Sequence, residues 1–512
     1  MNKHHLQRAQ RSIEKGRADL AIKSLRKLTK QEPLNLAAWK LLGFAYHEEQ
    51  LESEAVDAFT KAEAIDSEDV LTVMSLAQST FLSGLSAVEH FDRALRLAPG
   101  NLDALRGYAL ALASENHCDV AETVLCRALK VHPDWLDGHK VLTRLRYTRA
   151  SHRHFADSYR DACAEQPQNL ALRLEWFRAV AQTRDWITAG RIVGEAERVF
   201  NSQPQLLLAR LFIASESGDI LQSTKLFAET TNLDDEMRDM ALVRHHLRQG
   251  NLDSAESTAR LRIGTPSEAV FWPYLSLIWR LKGIPQAAEW LDGSPPFVSA
   301  IDLDFEAGDL DRLADLLRRL HTARNPFTEQ SVRGGTQTDQ NLFLRHEPIL
   351  RQLKSQIQSA VSQYVGQLPA PVQGHPLLGV KRDEPLRGRT FFSGSWSVRL
   401  LAQGFNVSHN HPMGWISSAL YVSLPKLEQM GKPPAGWIRF GTPPAELKLS
   451  LPPCLQKEPK AGRLVLFPST MWHSTVPFDD GERLVVAFDI RRPRATVQSN
   501  KTINGGQSHE AE

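Results

Sequence analysis

The 512-residue sequence predicts a multidomain α + β protein. An N-terminal α-solenoid occupies residues 1–325, a β-sandwich of double-stranded β-helix type (jelly-roll, cupin-like) occupies 326–494, and a disordered tail takes 495–512. Three observations lead there. The chain is too long for one ordinary core, so at least two domains are expected. Pro99, Pro133 and Pro167 recur every 34 residues. After Arg389 the apolar residues switch from helical spacing to short, β-branched and aromatic runs bounded by Pro and Gly.

The repeats come first. Ala21, Ala55, Ala87, Ala121 and Ala189 follow the same register, with Phe155 in the matching slot and one two-residue shortening before Ala87. In the unit AAWKLLGFAYHEEQLESEAVDAFTKAEAI, the residues Trp39, Leu42, Gly43, Tyr46, Ala55, Phe59 and Ala62 resemble the tetratricopeptide repeat (TPR). Each unit is then a helix pair. Small residues such as Gly43 and Ala55 let the two helices approach, large apolar ones fill the groove to the next unit, and a proline ends the second helix. One pair cannot bury its own face, so pairs stack. Later in the chain Gly218, Gly250, Gly283 and Gly308 mark inter-helix turns, and about nine pairs are expected before residue 320 or so. Such an array implies a protein or peptide bound in its groove.

Beyond the solenoid, Gly334–Gly335 and a polar run break the helical period. One more helix is expected in EPILRQLKSQIQSAVSQYVGQL, then a Pro/Gly-rich connector over 369–388. Five strands follow, in RTFFSGSWSVRLL, GWISSALYVSLP, GWIRFGTP, GRLVLFPS and RLVVAFDIRR. The tail from Ala495 has little to bury.

Composition excludes some function classes. The net charge of +2 gives no general affinity for polyanions, so no nucleic-acid partner is expected. Residues 1–30 carry nine Lys/Arg against Glu14 and Asp19, with Arg8, Arg11 and Lys15 on one helical face; this reads as a solvated face, with an acidic partner as the alternative. The start has no apolar leader, and no apolar run approaches the ~18 residues of a membrane span. The four scattered cysteines lack a C-x-x-C spacing and read as buried free thiols in a reducing cytoplasm.

The chemistry concentrates near the C-terminus. In SHNHPMGW, His409 and His411 stand two apart, which on a strand points both rings to one face. Further on, AGRLVLFPSTMWHSTVPFDDGERLVVAFDI supplies His473 and, ten residues later, Arg483, with Gly462 turning the chain into the strand that leads to His473. The order His-x-His, strand, Gly-turn, strand, His, Arg resembles the Fe(II)/2-oxoglutarate-dependent dioxygenases, and the flanking text is similar to their bacterial TPR-linked, prolyl-hydroxylase-like members. The resemblance covers about residues 326–492, opening at SVRGGTQTDQNLF.

The resemblance implies Fe(II) held by His409, His411 and His473, 2-oxoglutarate and O₂ as cosubstrates, Arg483 and Tyr421 on the 2-oxoglutarate C5 carboxylate, and no catalytic side chain beyond the metal ligands. Imidazole nitrogens on one face suit non-haem Fe(II), and a guanidinium is a fixed fork for a carboxylate. His411 departs from the family, which has Asp or Glu there. Either three histidines bind the metal, or His411 swings out and water fills the third place. Asp489 shares a strand face with Arg483, six residues on; it reads as a surface aspartate near a strand end, with a compensating carboxylate as the alternative. Two other functions stay open: a non-catalytic interaction protein with a degenerate oxygenase domain, and a three-histidine zinc enzyme, against which Arg483 speaks. His245, His246 and His321 read as structural.

Overall fold

The computed structural model describes residues 2–149, 154–201, 203–326, 330–380 and 391–493. The tail expected to be disordered, 495–512, and the second half of the 369–388 connector lie outside the described residues.

Eighteen helices among the described residues, from Asn2–Glu14 to Pro285–Asp292, pack in sequence as nine pairs. The repeat proline acts with an asparagine two residues on. Pro99 follows the helix Val88–Leu97, and the side chain of Asn101 then accepts from Ala104 N at 3.0 Å to cap the next helix. Asn35 and Asn169 do the same after Pro33 and Pro167. Gly43 faces the Phe59 ring within one pair, and Gly107 faces Phe91 of the preceding pair, so closely that a Cβ on either glycine would meet the ring. The four cysteines are free, but only Cys163 is buried.

Among its described residues the C-terminal part holds nine strands: β1 (Ser299–Asp302), β2 (Val332–Gln337), β3 (Phe392–Asn406), β4 (Ile416–Ser423), β5 (Ile438–Phe440), β6 (Leu455–Lys457), β7 (Arg463–Pro468), β8 (His473–Thr475) and β9 (Arg483–Ile490). They form an antiparallel six-stranded sheet, β1-β7-β4-β9-β3-β2, and a three-stranded sheet, β6-β5-β8. Strand alternation divides the large sheet into two faces. Leu420, Leu464, Leu484, Val486 and Phe488 point outward, onto Leu313 and Leu317 of the helix Asp309–Leu320 and Leu353 and Ile357 of the helix Pro348–Gln367. Val398, Tyr421, Val465, Phe467 and Val485 point inward, toward Ile438 and Phe440 of the small sheet.

Two features differ from the expected domain organisation. β1 pairs with β7, and the helix Asp309–Leu320 belongs to the apolar core of the large sheet, so the sheet unit begins near Ser299 and the nine helical pairs end at Asp292. Gly308 precedes that packing helix, at φ +82°, instead of joining two solenoid helices. The connector is also no loose linker at its start: His375, Leu377 and Leu378 are buried, with His375 Nε2 against Trp290 O at 2.8 Å.

The sheet unit sits on the first helices of the pairs. Gln50 donates to Phe392 O at 2.7 Å and accepts from Phe392 N; His346 N donates to Ser83 O at 2.9 Å. Arg248 donates to Glu446 O at 3.0 Å, and Trp472 Nε1 to Pro273 O at 2.9 Å. Arg144 pairs with Asp339 and Arg184 with Glu446. Leu447 and Trp472 enter one apolar core with Phe271 and Leu275. Every solenoid residue named here lies on the first helix of a pair or in the turn after it. The face expected to bind a foreign protein is therefore in good part covered by the chain's own sheets, leaving a cleft of ≈ 490 Å³ between the two.

Candidate metal centre and anion pocket

The inner sheet face and the small sheet enclose a cavity of ≈ 580 Å³. His409 follows β3 and His473 opens β8. The two stand side by side because their backbones exchange hydrogen bonds, His409 N to His473 O at 3.0 Å and the reverse at 2.9 Å. His411 lies two residues on, its N–H held by Ser469 O at 2.9 Å. Ring centroids are 4.1 Å apart for His409–His473, 5.0 Å for His409–His411 and 5.2 Å for His411–His473. One ligand atom from each lies within 4.8 Å of the others.

The hydrogen bonds define which nitrogen faces inward. His409 Nδ1 meets Val407 O at 2.8 Å, His473 Nδ1 meets Met471 O at 3.1 Å, and His411 Nδ1 meets Asp489 Oδ2 at 2.7 Å. All three partners accept, so each Nδ1 carries a hydrogen directed away from the cavity and each Nε2 is the nitrogen that faces it. Burial depresses the His409 pKa to about 3, with the neighbouring His411 adding to the effect, and holds His473 well below the ordinary imidazole value. These are neutral donors. His411 Nε2 is buried and has no hydrogen-bond partner among the described residues. Three imidazole nitrogens gathered on one side of a cavity fit a divalent metal ion.

Arg483 lies on β9, deeper in the same cavity. It is 2 % exposed, donates from Nη1 to Gly436 O at 2.8 Å, and leaves Nε buried without a partner. Its guanidinium carbon is 5.8 Å from the centre of the Tyr421 ring. The Tyr421 hydroxyl is likewise buried without a partner. Burial lowers the Arg483 pKa, Tyr421 opposing, and raises that of Tyr421, Arg483 opposing. No ion pair to Arg483 occurs among the described residues. A buried cation with a free N–H beside a free hydroxyl fits an oxyanion.

Asp489 is not the surface residue expected. Its side chain is 13 % exposed, and besides His411 it takes a hydrogen bond from Ser417 Oγ at 2.6 Å. The register explains this: Ser417 lies directly opposite Asp489 across β4 and β9, on the inner face. Trp396 was not anticipated either. Its ring lies 12° from parallel to that of His411, centroids 5.7 Å apart. Its parity along β3 with Val398, an inner-face residue, was the available clue. His321, read as structural, bridges Thr336 and Ser397 at 2.8 and 3.0 Å, in the sheet unit rather than a repeat.

Fold and site together define a helical-repeat protein carrying a two-sheet domain with a candidate metal centre. Residues 394–489 match the family described as "Putative 2OG-Fe(II) oxygenase", and residues 6–70 match a tetratricopeptide repeat family. The chain thus matches a tetratricopeptide repeat family in its first helices and the "Putative 2OG-Fe(II) oxygenase" family in its sheet domain. Among solved structures it is similar to a tetratricopeptide repeat protein from Parabacteroides merdae (16 % identity, 47 % of this chain and 96 % of that one, TM-score 0.31). It is also similar to MamA from Desulfovibrio magneticus (16 %, 33 % and 96 %, 0.30) and to a Pseudomonas putida prolyl-4-hydroxylase (19 %, 40 % and 98 %, 0.28). Likenesses at these TM-scores carry no argument about activity. No curated protein matches the chain.

Among the described residues no helix is long and apolar enough to cross a membrane.

Proposed function

We propose that the sheet domain is an Fe(II)- and 2-oxoglutarate-dependent dioxygenase that hydroxylates a protein or peptide, acting in the cytoplasm. The observation that carries this reading is the buried guanidinium of Arg483, without an ion pair among the described residues, in the same cavity as three clustered imidazole nitrogens. His409, His411 and His473 would hold the iron, and Arg483 with Tyr421 would hold the far carboxylate of 2-oxoglutarate. Bound there, iron and 2-oxoglutarate together supply the O₂-dependent oxidative decarboxylation, to succinate and CO₂, that drives a hydroxylation. The residues of this chain contribute binding and exclusion. Phe467, Val398 and Val485 wall the cavity and keep water from the guanidinium, where the attraction for a carboxylate is then largest. The backbone carbonyls of Val407 and Met471 hold two ring tautomers.

Gln337 lines both the site cavity and the ≈ 490 Å³ cleft between solenoid and sheets. That continuity supports a substrate segment lying in the cleft and entering the site past Gln337, with the solenoid as one wall rather than a free groove. The three-imidazole donor set also suits Zn²⁺, and metal analysis of anaerobically purified protein separates the two ions.

The direct test is succinate formation from 2-oxoglutarate with added Fe(II). The wild type should turn over and His473→Ala should not. Equal rates in both, or none in an iron-loaded wild type, would overturn the reading. Filling the cleft with Ala113→Trp should weaken substrate hydroxylation while sparing iron binding; undiminished hydroxylation would remove the cleft from the route.

A further inference from the structure

His411 differs from the other two histidines in how its ring is held. His409 and His473 each bond the backbone carbonyl two residues earlier, an arrangement available to almost any sequence. His411 instead bonds a carboxylate from a different strand, 78 residues away. That carboxylate is itself positioned. Ser417 Oγ holds Asp489 Oδ1 at 2.6 Å and lies 2.8 Å from Ser469 Oγ. Gly414 leaves room for the group: a Cβ there would stand 2.5 Å from Ser469 Oγ and 3.3 Å from Asp489 Cβ. The Trp396 ring covers one face of the imidazole. Five side chains or their absence thus converge on one ring orientation, at the one ligand position where an imidazole stands in place of the family's carboxylate.

We propose that Asp489 is the positioning residue of this site. Through His411 Nδ1–H it fixes the tautomer and rotamer that aim Nε2 at the metal, and it returns, one ring further out, the negative charge that His411 does not bring. The inference rests on the metal-binding reading given above. It also decides between the two ways of accommodating His411. A ring gripped by Asp489 and Trp396 does not swing out for water, so the site is a three-histidine site with a carboxylate behind it. A carboxylate behind a ligating imidazole raises its basicity, and removing such a partner typically costs about 10–100-fold in metal affinity.

The test uses the full-length chain and Co²⁺ alone as probe, titrated anaerobically and read by its visible absorption. Asp489→Asn and Asp489→Ala should bind Co²⁺ about 10–100-fold more weakly than wild type. Because Asp489 acts through His411, Asp489→Asn should cost nothing further in a His411→Ala background. Ser417→Ala, which keeps the charge but loosens it, should weaken binding only a few-fold and serves if the Asp489 variants fail to fold. A second readout needs no metal. In ¹⁵N-histidine NMR of the metal-free chain, His411 should be a single Nδ1–H tautomer that becomes mixed in Asp489→Asn, while His409 and His473 do not change. Wild-type Co²⁺ affinity in both Asp489 variants, an equal loss with and without His411, or an unchanged tautomer would overturn the inference. A wild type that binds no Co²⁺ and no Fe²⁺ would instead overturn the metal reading itself, and this inference with it.

Discussion

The solenoid and the sheet domain treat buried polar groups in opposite ways. In the solenoid most are satisfied locally. Asn35, Asn101 and Asn169 close helix ends, Arg244 pairs with Glu216 at 2.9 Å, and Arg262 with Asp239 at 2.6 Å. Thr143 Oγ1 and Arg173 Nε are among the buried atoms left without a partner there, and neither lines the site cavity. In the sheet domain His411 Nε2, Tyr421 Oη and Arg483 Nε are left unpaired around one cavity. An unpaired buried group costs stability, about 1–3 kcal/mol and more for a charge. Three of them facing one space identify the region built for a ligand, while a self-satisfied array of helices identifies the region built as a frame.

The largest expected effect tests that contrast at its centre. Arg483→Gln removes a buried charge that has no counter-ion among the described residues and that, under the proposed function, would gain one from 2-oxoglutarate. Truncating one partner of a buried charged pair costs about 2–5 kcal/mol of binding, so the KM for 2-oxoglutarate should rise by about 30-fold or more. The thermal midpoint of the free protein should stay level or rise, because the desolvated cation is gone. Steady-state succinate assays and thermal melts read the two. A large drop in the melting temperature together with an unchanged KM would make Arg483 part of the frame.

Next comes a pair of identical substitutions within the solenoid. A Cβ at Gly43 would lie 2.5 Å from the Phe59 ring, whereas nothing lies within 4 Å of one at Gly190, in the middle of the helix Trp186–Phe200. Gly43→Ala should destabilise by about 1–3 kcal/mol through overpacking. Gly190→Ala should stabilise by up to about 1 kcal/mol through helix propensity. Denaturant unfolding followed by circular dichroism gives both signs. Equal signs would mean that the close approach at Gly43 does not hold the pair together.

What could be read from the sequence follows the same division. The repeats were legible because each contact that makes them is local: Pro99 and Asn101 stop one helix and start the next within a few residues. The strands β3, β4, β5, β7 and β9 were legible as short β-branched or aromatic runs bounded by Pro and Gly, and the histidine order by resemblance. β1 was not, since Ser299–Asp302 is four residues with no pattern of its own until β7 lies beside it. The helix Asp309–Leu320 has the same apolar spacing as a solenoid helix, so nothing in its text says that its face belongs to a sheet. Parity placed Asp489 on the face of Arg483, but only the register with Ser417 turns it toward His411. The docking of sheets on solenoid rests on Gln50, Ser83, Arg248 and Pro273, scattered residues with no common motif.

The smallest effect concerns a joint inside the sheet domain and depends on pH. His321 follows the helix Asp309–Leu320 and ties it to β2 and β3 through Thr336 and Ser397. Burial, aided by the charge of Arg399, lowers its pKa to about 4. The unfolded chain, with an ordinary imidazole pKa near 6.5, therefore binds a proton between pH about 6.5 and about 4 that the folded chain does not. Stability contributed by this residue is present at neutral pH and is lost as the pH falls through that window, by about 1–2 kcal/mol at pH 5. His321→Gln keeps a donor and an acceptor for the two hydroxyls and cannot titrate. Urea unfolding at pH 7 and pH 5 should thus show a smaller acid-induced loss in the variant than in the wild type, by that amount. Solenoid histidines such as His139 and His245, also depressed by burial, contribute their own acid-induced loss to both chains and cancel in the difference. An identical loss in the two proteins would mean that His321 is solvated, and that the helix is held to the sheet by Leu313 and Leu317 alone.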